Sequence, residues 1–114
     1  MKYALLIYGA ESQWNTLSEA EQMAMFEKHG AYSEALVQAG LMVSGEPLDV
    51  AETAKRITDD GVQDGPYADT KEQLGRFYVI EAGTLQTALD WAAKCPRLPG
   101  DQIEVRPVPA YGDA

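Results

Sequence analysis

The sequence contains 114 residues, a length that suits one domain and leaves no room for two. Hydrophobic residues make up 46% of it and charged residues 24%, which is the mixture of an ordinary globular protein. The 18 acidic and 9 basic residues give a net charge of −9, and an acidic surface repels nucleic-acid phosphates and anionic lipids. Because no basic cluster interrupts this charge, we expect no nucleic-acid or membrane partner.

The N-terminal segment and the cysteine content bear on location and on cofactors. The apolar run after Met1 ends at Gly9, which is too short for a signal peptide or a membrane helix, so we expect a cytoplasmic protein. Cys95 is the one cysteine and His29 the one histidine, and such a pair cannot make a zinc site. We interpret Cys95 as a small apolar residue, and we predict no metal and no nucleotide cofactor.

Two amphipathic helices are predicted. Ser18 and Glu21 form the capping-box pattern S-x-x-E, which predicts a helix over residues 19–39. The helical period places one side of this helix toward a sheet, and that side comprises Met23, Phe26, Gly30, Ser33, Leu36 and Val37. Thr84 can cap a second helix that extends to about Cys95. Its predicted buried stripe consists of Leu85, Ala88, Leu89 and Ala92.

The other apolar segments predict β-strands. They are residues 2–8, 41–44, 53–58, 76–82 and 103–106. Asp60 and Gly61 predict a hairpin turn, and Glu46 to Leu48 a turn after the second strand. The resulting order is the split βαβ pattern of a ferredoxin-like α+β domain, with an antiparallel sheet, two helices on one face and an inserted hairpin. The first and fourth strands are apolar on both faces and therefore need a second cover, which so small a chain has few elements left to supply.

The segment from Asp64 to Ala82, DGPYADTKEQLGRFYVIEA, resembles the signature of the YCII-related family, also called the DGPF domain. Further segments that resemble this family are residues 1–9, 88–96 and 103–107. The family motif has Phe as its fourth residue, whereas this chain has Tyr67, whose hydroxyl would make a pocket more polar. The resemblance implies a dimeric α/β barrel-type arrangement in which the sheets of two chains pack face to face. A homodimer would supply the second cover that the doubly apolar strands need.

The resemblance says less about the reaction. The wider superfamily includes isomerases and lyases that act on small ring compounds, but most DGPF proteins have no assigned reaction. Some are encoded beside extracytoplasmic-function sigma factors, which hints at a regulatory or accessory role.

His29 and Asp64 are the predicted catalytic residues. A histidine near neutral pKa can act as a general base or acid, and the helical count places His29 toward the sheet side of its helix. The resemblance implies that a histidine on this helix pairs with the loop aspartate, here Asp64, whose carboxylate would fix the tautomer of the ring. The alternatives are a histidine packed beside the core and an aspartate that caps the turn before Gly65.

Three further residues are predicted to bind a small molecule. Lys71 would hold an anionic group, and Tyr67 and Tyr32 would line a pocket. Tyr67 is alternatively a core or interface aromatic residue, as are Tyr78 and Trp91.

Three functions are open at this point. The first is an enzyme that performs cofactor-free acid–base chemistry, such as an isomerisation or elimination, on a small molecule. The second is a non-catalytic domain that binds a metabolite or a regulatory partner. The third is a dimerisation module without a pocket, which a well-packed surrounding of His29 would favour.

Overall fold

A computed structural model describes residues 1–110 of the chain. The strands are β1 (Lys2–Ala10), β2 (Met42–Pro47), β3 (Lys55–Thr58), β4 (Gly61–Asp64), β5 (Glu72–Glu81) and β6 (Gln102–Val108). The helices are α1 (Glu11–Asn15), α2 (Glu19–Gln38) and α3 (Leu85–Ala93), with a single 3-10 turn at Ala51–Thr53. None of the three helices within residues 1–110 has the length and apolarity needed to cross a membrane.

The strands form one four-stranded antiparallel sheet and one separate hairpin. The sheet has the order β2-β5-β1-β6, and β3 pairs only with β4. Each helical connection thus skips one strand position, which is the split βαβ arrangement. The predicted ferredoxin-like α+β fold with an inserted hairpin is confirmed. Pro107 lies in β6, an edge strand that tolerates a missing N–H donor.

The predicted helix starts are confirmed by their capping hydrogen bonds. The Glu21 N–H donates to Ser18 Oγ at 3.1 Å, and the Ser18 N–H donates to Glu21 Oε1 at 2.9 Å. The Thr87 N–H donates to Thr84 Oγ1 at 3.1 Å at the start of α3. These side chains satisfy backbone donors that have no partner inside a helix. Gly40, with a φ of 76°, then ends α2 as predicted.

One continuous core lies between the helices and one face of the sheet. Its buried residues are Tyr3, Leu5, Ile7, Tyr32, Leu36, Tyr78, Ile80, Ala82, Ala88, Ala92 and Cys95. Alternation along β1 and β5 aims every second side chain at this core. The burial of Cys95 confirms its interpretation as a small apolar residue.

The predicted buried face of α2 is correct at Leu36 and wrong at its other large apolar positions. Met23, Phe26 and Val37 are 58%, 49% and 56% exposed, whereas the helix buries His29, Tyr32 and Leu36. The observed face is rotated by about a quarter turn from the predicted one. On the observed face, the Tyr32 ring contacts Tyr78 and Trp91 edge to face, and its hydroxyl donates to the Trp91 carbonyl oxygen at 2.7 Å.

Other boundaries also differ from those predicted. In α3 only Ala88 and Ala92 are buried, while Leu85 and Leu89 are 47% and 41% exposed, because the alanines let the helix approach the sheet closely. β2 continues through Pro47, where a turn was predicted, and β5 begins at Glu72, before the start of the predicted strand at residue 76. The helix α1 was not predicted, since five residues carry too little periodicity to be detected.

The opposite face of the sheet has an apolar centre and no helix across it within residues 1–110. Leu6 lies opposite Phe77 and Ala4 opposite Val79 in the β1–β5 register. These four side chains are only half-buried, whereas their neighbours on the helix side are fully buried. Within one chain, the apolar strands β1 and β5 are therefore fully buried on the helix side of the sheet and only half-buried on the other side.

Candidate functional site

An open cavity of about 430 Å³ lies at one end of the helix-covered face of the sheet. Its floor is the end of β1 at Gly9 and the start of β5 at Arg76. Trp14 of α1 and His29 of α2 lie in its walls, together with the segments that follow β2 and precede β6. The volume lies within the range typical of small-molecule sites, which is roughly 300–1,000 Å³.

Gly9 allows the loop before β6 to approach the end of β1 and to form one side of the cavity. Gly9 has no side chain, and a Cβ at this position would collide with the carboxylate of Asp101. Asp101 in turn accepts the Leu98 N–H at 3.1 Å, which folds the loop before β6 over the end of β1. On the opposite side, Trp14 meets Phe26 edge to face with ring centroids 5.3 Å apart. This contact accounts for the half-exposed Phe26, which forms part of the cavity wall.

His29 is the buried polar side chain of this wall. It is 8% exposed, and its Nδ1 atom lies 2.8 Å from the Tyr78 hydroxyl oxygen. Within residues 1–110, no fully buried side-chain nitrogen or oxygen lacks a hydrogen-bond partner. The Nε2 atom of His29 makes no hydrogen bond to these residues and therefore keeps contact with the cavity.

Burial, reinforced by the positive charge of Arg76, lowers the pKa of His29 to about 4. The imidazole is therefore neutral at physiological pH. Because a hydroxyl group can donate or accept, the contact with Tyr78 fits either neutral tautomer. In either case one ring nitrogen is fixed and the other is free for a ligand.

Tyr78 holds His29 in place from the centre of the core. Its side chain is 1% exposed, and burial raises the pKa of its hydroxyl. The Tyr32 ring meets it edge to face at 5.2 Å, and Gly45 leaves room for it, since a Cβ there would lie 2.6 Å from the Tyr78 ring. The ring that carries the orienting hydroxyl therefore has close neighbours on two sides.

The charged groups of the cavity wall differ in their hydrogen-bond and ion-pair partners. Glu11 accepts the Ala51 N–H at 2.7 Å, and Asp49 accepts the N–H of the next residue at 2.7 Å. Burial raises the pKa of Asp101. The guanidinium groups of Arg76 and Arg97 make no ion pair within residues 1–110.

The structure brings one predicted site residue into this cavity. His29 lines it, but Asp64 lies on the hairpin at the end of β4, where its 84%-exposed carboxylate pairs with the Lys55 ammonium at 2.5 Å. The His29–Asp64 pair is therefore not formed within one chain, because the hairpin is a separate sheet away from the cavity wall. Tyr78 takes the place that was predicted for Asp64 beside the imidazole.

The three predicted binding residues also lie outside the cavity. Tyr67 is 95% exposed and Lys71 is exposed, because both belong to the loop between β4 and β5. Tyr67 is thus not a core residue of this chain. Tyr32 is 6% exposed inside the core, where its hydroxyl is already bonded to Trp91.

Sequence reasoning missed Arg76 and Asp101. Arg76 carried a signal, since alternation along β5 puts it in phase with the core residues Tyr78 and Ile80. A guanidinium on the inward face of a central strand is an unusual placement that marks a possible site. No local pattern distinguishes Asp101 from a surface aspartate. Within residues 1–110, no group of three or more His, Cys, Asp or Glu side chains is arranged to hold a metal ion.

Comparisons with known proteins identify the family of this chain. The family model for the YCII-related domain matches residues 1–110. An uncharacterized protein of Rhizobium meliloti (strain 1021) is 33% identical over 117 aligned positions, which cover 97% of this chain and 94% of that protein. The family model therefore spans the β3–β4 hairpin, the residues that line the cavity, and the helices α2 and α3. The chain therefore belongs to the YCII-related family.

Proposed function

We propose that the cavity binds a small organic molecule and that His29 transfers a proton in a cofactor-free isomerisation or elimination. One observation carries this proposal. A neutral imidazole has its Nδ1 atom held at 2.8 Å by the Tyr78 hydroxyl, while its Nε2 atom contacts an open cavity. A positioned imidazole is the most common general base or acid in proteins.

The contact with Tyr78 supports the role of base in one tautomer. When the proton lies on Nδ1, it is donated to the Tyr78 oxygen, and the lone pair of Nε2 faces the cavity. Nε2 then accepts a proton from the substrate, and the tyrosine oxygen stabilises the imidazolium that forms. Delivery of the same proton to another substrate atom completes an isomerisation, and release to water accompanies loss of a leaving group in an elimination.

The remaining predicted site residues take a different place in the proposal. Asp64, Tyr67 and Lys71 lie on the exposed hairpin and its following loop, so any contact they make with a ligand comes from outside this cavity. Tyr32 supports the site indirectly through its edge contact with Tyr78.

The proposal includes a homodimer in the cytoplasm. The half-buried apolar centre of the open sheet face, with Leu6 opposite Phe77, supports packing against the same face of a second chain. The thiol of Cys95 is free and buried, which suits a reducing compartment. Sedimentation equilibrium at micromolar concentration tests the association, and a monomer at every concentration would contradict it.

A non-catalytic domain that binds a small molecule is the second candidate. The low pKa of His29 favours it, because a base with a pKa of about 4 has little driving force for proton abstraction at neutral pH. The same cavity would then serve recognition alone, as a metabolite sensor or regulatory accessory domain. A dimerisation module without a pocket is disfavoured, since the surroundings of His29 are open.

Deuterium exchange separates the two candidates. The chain is incubated in D2O with a set of small ketones, hydroxy acids and cyclic enols, and proton NMR follows the loss of signal at carbon atoms next to carbonyl groups. We expect exchange with at least one compound, its loss in His29→Gln, and no change in Asp90→Asn, an exposed control on α3. Exchange that persists in His29→Gln contradicts the catalytic role, and ligand-induced thermal stabilisation without exchange supports the sensor.

A further inference from the structure

Arg76 is the feature of the cavity that neither the fold nor the proton transfer explains. It lies on β5 between two strands, in phase with Tyr78 and Ile80, where the neighbouring inward positions hold core side chains. It is half-buried and forms part of the cavity floor. Its guanidinium carbon lies 5.9 Å from the centre of the Tyr78 ring, so the charged group stands over the same tyrosine that orients His29.

The positive charge of Arg76 is not balanced by an acidic side chain. Within residues 1–110, no carboxylate oxygen lies within 4.0 Å of its guanidinium nitrogens. The three carboxylates of the wall are held elsewhere, since Glu11, Asp49 and Asp101 each accept a backbone N–H. A partly desolvated guanidinium without a counter-charge costs free energy, and an anion that entered the cavity would offset that cost.

We propose that Arg76 binds the carboxylate of the ligand, so that the cavity takes a small organic monoanion with an apolar body. This inference rests on the proposed function insofar as the cavity is a small-molecule site. The planar guanidinium fork of arginine matches a carboxylate through two parallel hydrogen bonds. The apolar body would contact Ile7, Trp14, Met25, Phe26, Leu48 and Leu98, which also line the cavity.

The charge of the wall limits the ligand to one negative group. Three carboxylates and two guanidinium groups line the cavity. Once Arg76 has bound one carboxylate of the ligand, a second negative charge would face three carboxylates and only one further guanidinium, so repulsion would exceed attraction. Arg97 is exposed, whereas Arg76 is half-buried and its guanidinium lies over Tyr78, the residue that holds His29. A carboxylate on Arg76 therefore places the rest of a short ligand next to the free imidazole nitrogen.

Binding of an anion would also change the imidazole. Arg76 contributes to the low pKa of His29, and a carboxylate that neutralises this charge removes that contribution. The pKa of His29 should therefore rise when the anion is bound. The same event that positions the ligand would make His29 a stronger base.

Benzoate and benzamide form a matched pair of probes, since they share a shape and differ in charge. Isothermal titration calorimetry measures their affinities for the full chain, and NMR of the His29 ring nitrogens reports where they bind. We expect benzoate to bind at least about tenfold more tightly than benzamide, which corresponds to about 1.4 kcal/mol, and to raise the pKa of His29. Arg76→Gln should abolish this preference.

Two further variants keep the test decisive. Arg106 is an exposed residue outside the cavity, and its guanidinium pairs with Glu104. The variant Arg106→Gln should therefore leave the preference for benzoate unchanged. Arg76→Lys retains the charge but loses the fork, so its preference should lie between those of the wild type and Arg76→Gln, and it replaces the Gln variant if that chain fails to fold. Equal affinity for both probes in the wild type, or a preference that survives Arg76→Gln, overturns the inference.

The outcomes also distinguish this inference from the proposed function. Binding of benzamide next to His29 without a preference for benzoate overturns the carboxylate site but leaves a small-molecule cavity. Perturbation of His29 by neither probe overturns the inference, and the deuterium-exchange experiment then decides the catalytic role separately.

Discussion

The cavity around His29 and the β3–β4 hairpin with its following loop differ in what they show in sequence and in structure. The hairpin region contains the most recognisable motif of the family, yet its side chains are exposed, with Ile57, Val62 and Tyr67 at 87%, 68% and 95%. The cavity is lined by residues from distant segments, among them Arg76 in the later part of the same signature, and it brings together a buried imidazole, a half-buried guanidinium and three carboxylates. His29 and Arg76, which interrupt inward-facing apolar rows, line the cavity, whereas the DGPY residues at the start of the signature do not.

The motif of the hairpin region can be explained by backbone geometry. Gly61 and Gly65 have φ values of 105° and 96°, a region that other residues seldom adopt. The Gly65 N–H donates to the Ala54 carbonyl oxygen at 2.8 Å, and the Arg56 side chain donates to the Gly65 oxygen at 3.0 Å. These contacts close the open end of the hairpin. The exposed apolar side chains on it contribute nothing to the core of this chain.

The largest expected difference between the two regions is one of stability. Leu36→Ala deletes a side chain that is 0% exposed and should lower the free energy of unfolding by about 2–5 kcal/mol. Ile57→Ala removes a side chain that is already 87% exposed and should change it by less than about 0.5 kcal/mol. Urea denaturation followed by circular dichroism measures both values.

A large loss in Ile57→Ala would break the comparison. It would mean that the hairpin is buried against a second chain, and the loss should then depend on protein concentration. Repeating the denaturation at two concentrations separates burial between chains from burial within one chain.

A smaller effect concerns the pH dependence of stability. The pKa of His29 is about 4 in the folded chain and about 6.5 when unfolded, so folding favours the neutral ring. Above pH 6.5 the ring is neutral in both states and His29 does not lower the stability of the folded chain. As the pH falls from 6.5 toward 4, the ring is protonated in the unfolded chain first, and the free energy of unfolding decreases by up to about 3 kcal/mol, at roughly 1.36 kcal/mol per unit of pKa difference. Solvent that reaches Nε2 through the cavity reduces this value.

The measurement compares wild type and His29→Gln by chemical denaturation between pH 4 and 8. The titration of the carboxylates is common to both chains and cancels in the difference. We expect the wild type to lose more stability than the variant below pH 6.5. Parallel curves would show that His29 is solvated and that the cavity does not shield it.

A small effect is also expected for the exposed ion pair of the hairpin. Asp64→Asn removes an exposed ion pair with Lys55 and should cost less than about 1 kcal/mol, with the cost decreasing at high salt. The variant should leave the pKa of His29 unchanged, because the carboxylate does not reach the cavity wall. NMR titration of the single histidine gives this result without ambiguity of assignment.

A decrease in the pKa of His29 in Asp64→Asn would contradict that expectation. It would require Asp64 to lie near the imidazole and to stabilise its charged form, which the hairpin of a second chain would have to accomplish. Such a result would restore the pair that the sequence predicted and would join the two regions across a dimer interface.

The sequence alone determined the order of the strands and of the helices α2 and α3, the class of fold and the family. Capping residues, the hairpin turn (which lies at Asp59–Asp60, one residue before the predicted Asp60–Gly61) and doubly apolar strands are local signals, and each acts within a few residues of where it is found. The position of His29 on the sheet side of α2 was also predicted, because the helical period alone gives it. These features do not depend on how the elements meet.

Only the tertiary structure decided which groups surround His29. The apolar residues of α2 occupy two adjoining arcs, and the choice between them depends on how its rings pack against Tyr78 and Trp91. Asp101 reaches the cavity because the last strand lies beside β1, more than ninety positions away in the chain from Gly9. Arg76 becomes a cavity residue because β1, α1, α2 and the loops after β2 and before β6 meet around it. Contacts between distant segments arise from packing, and no local pattern encodes them.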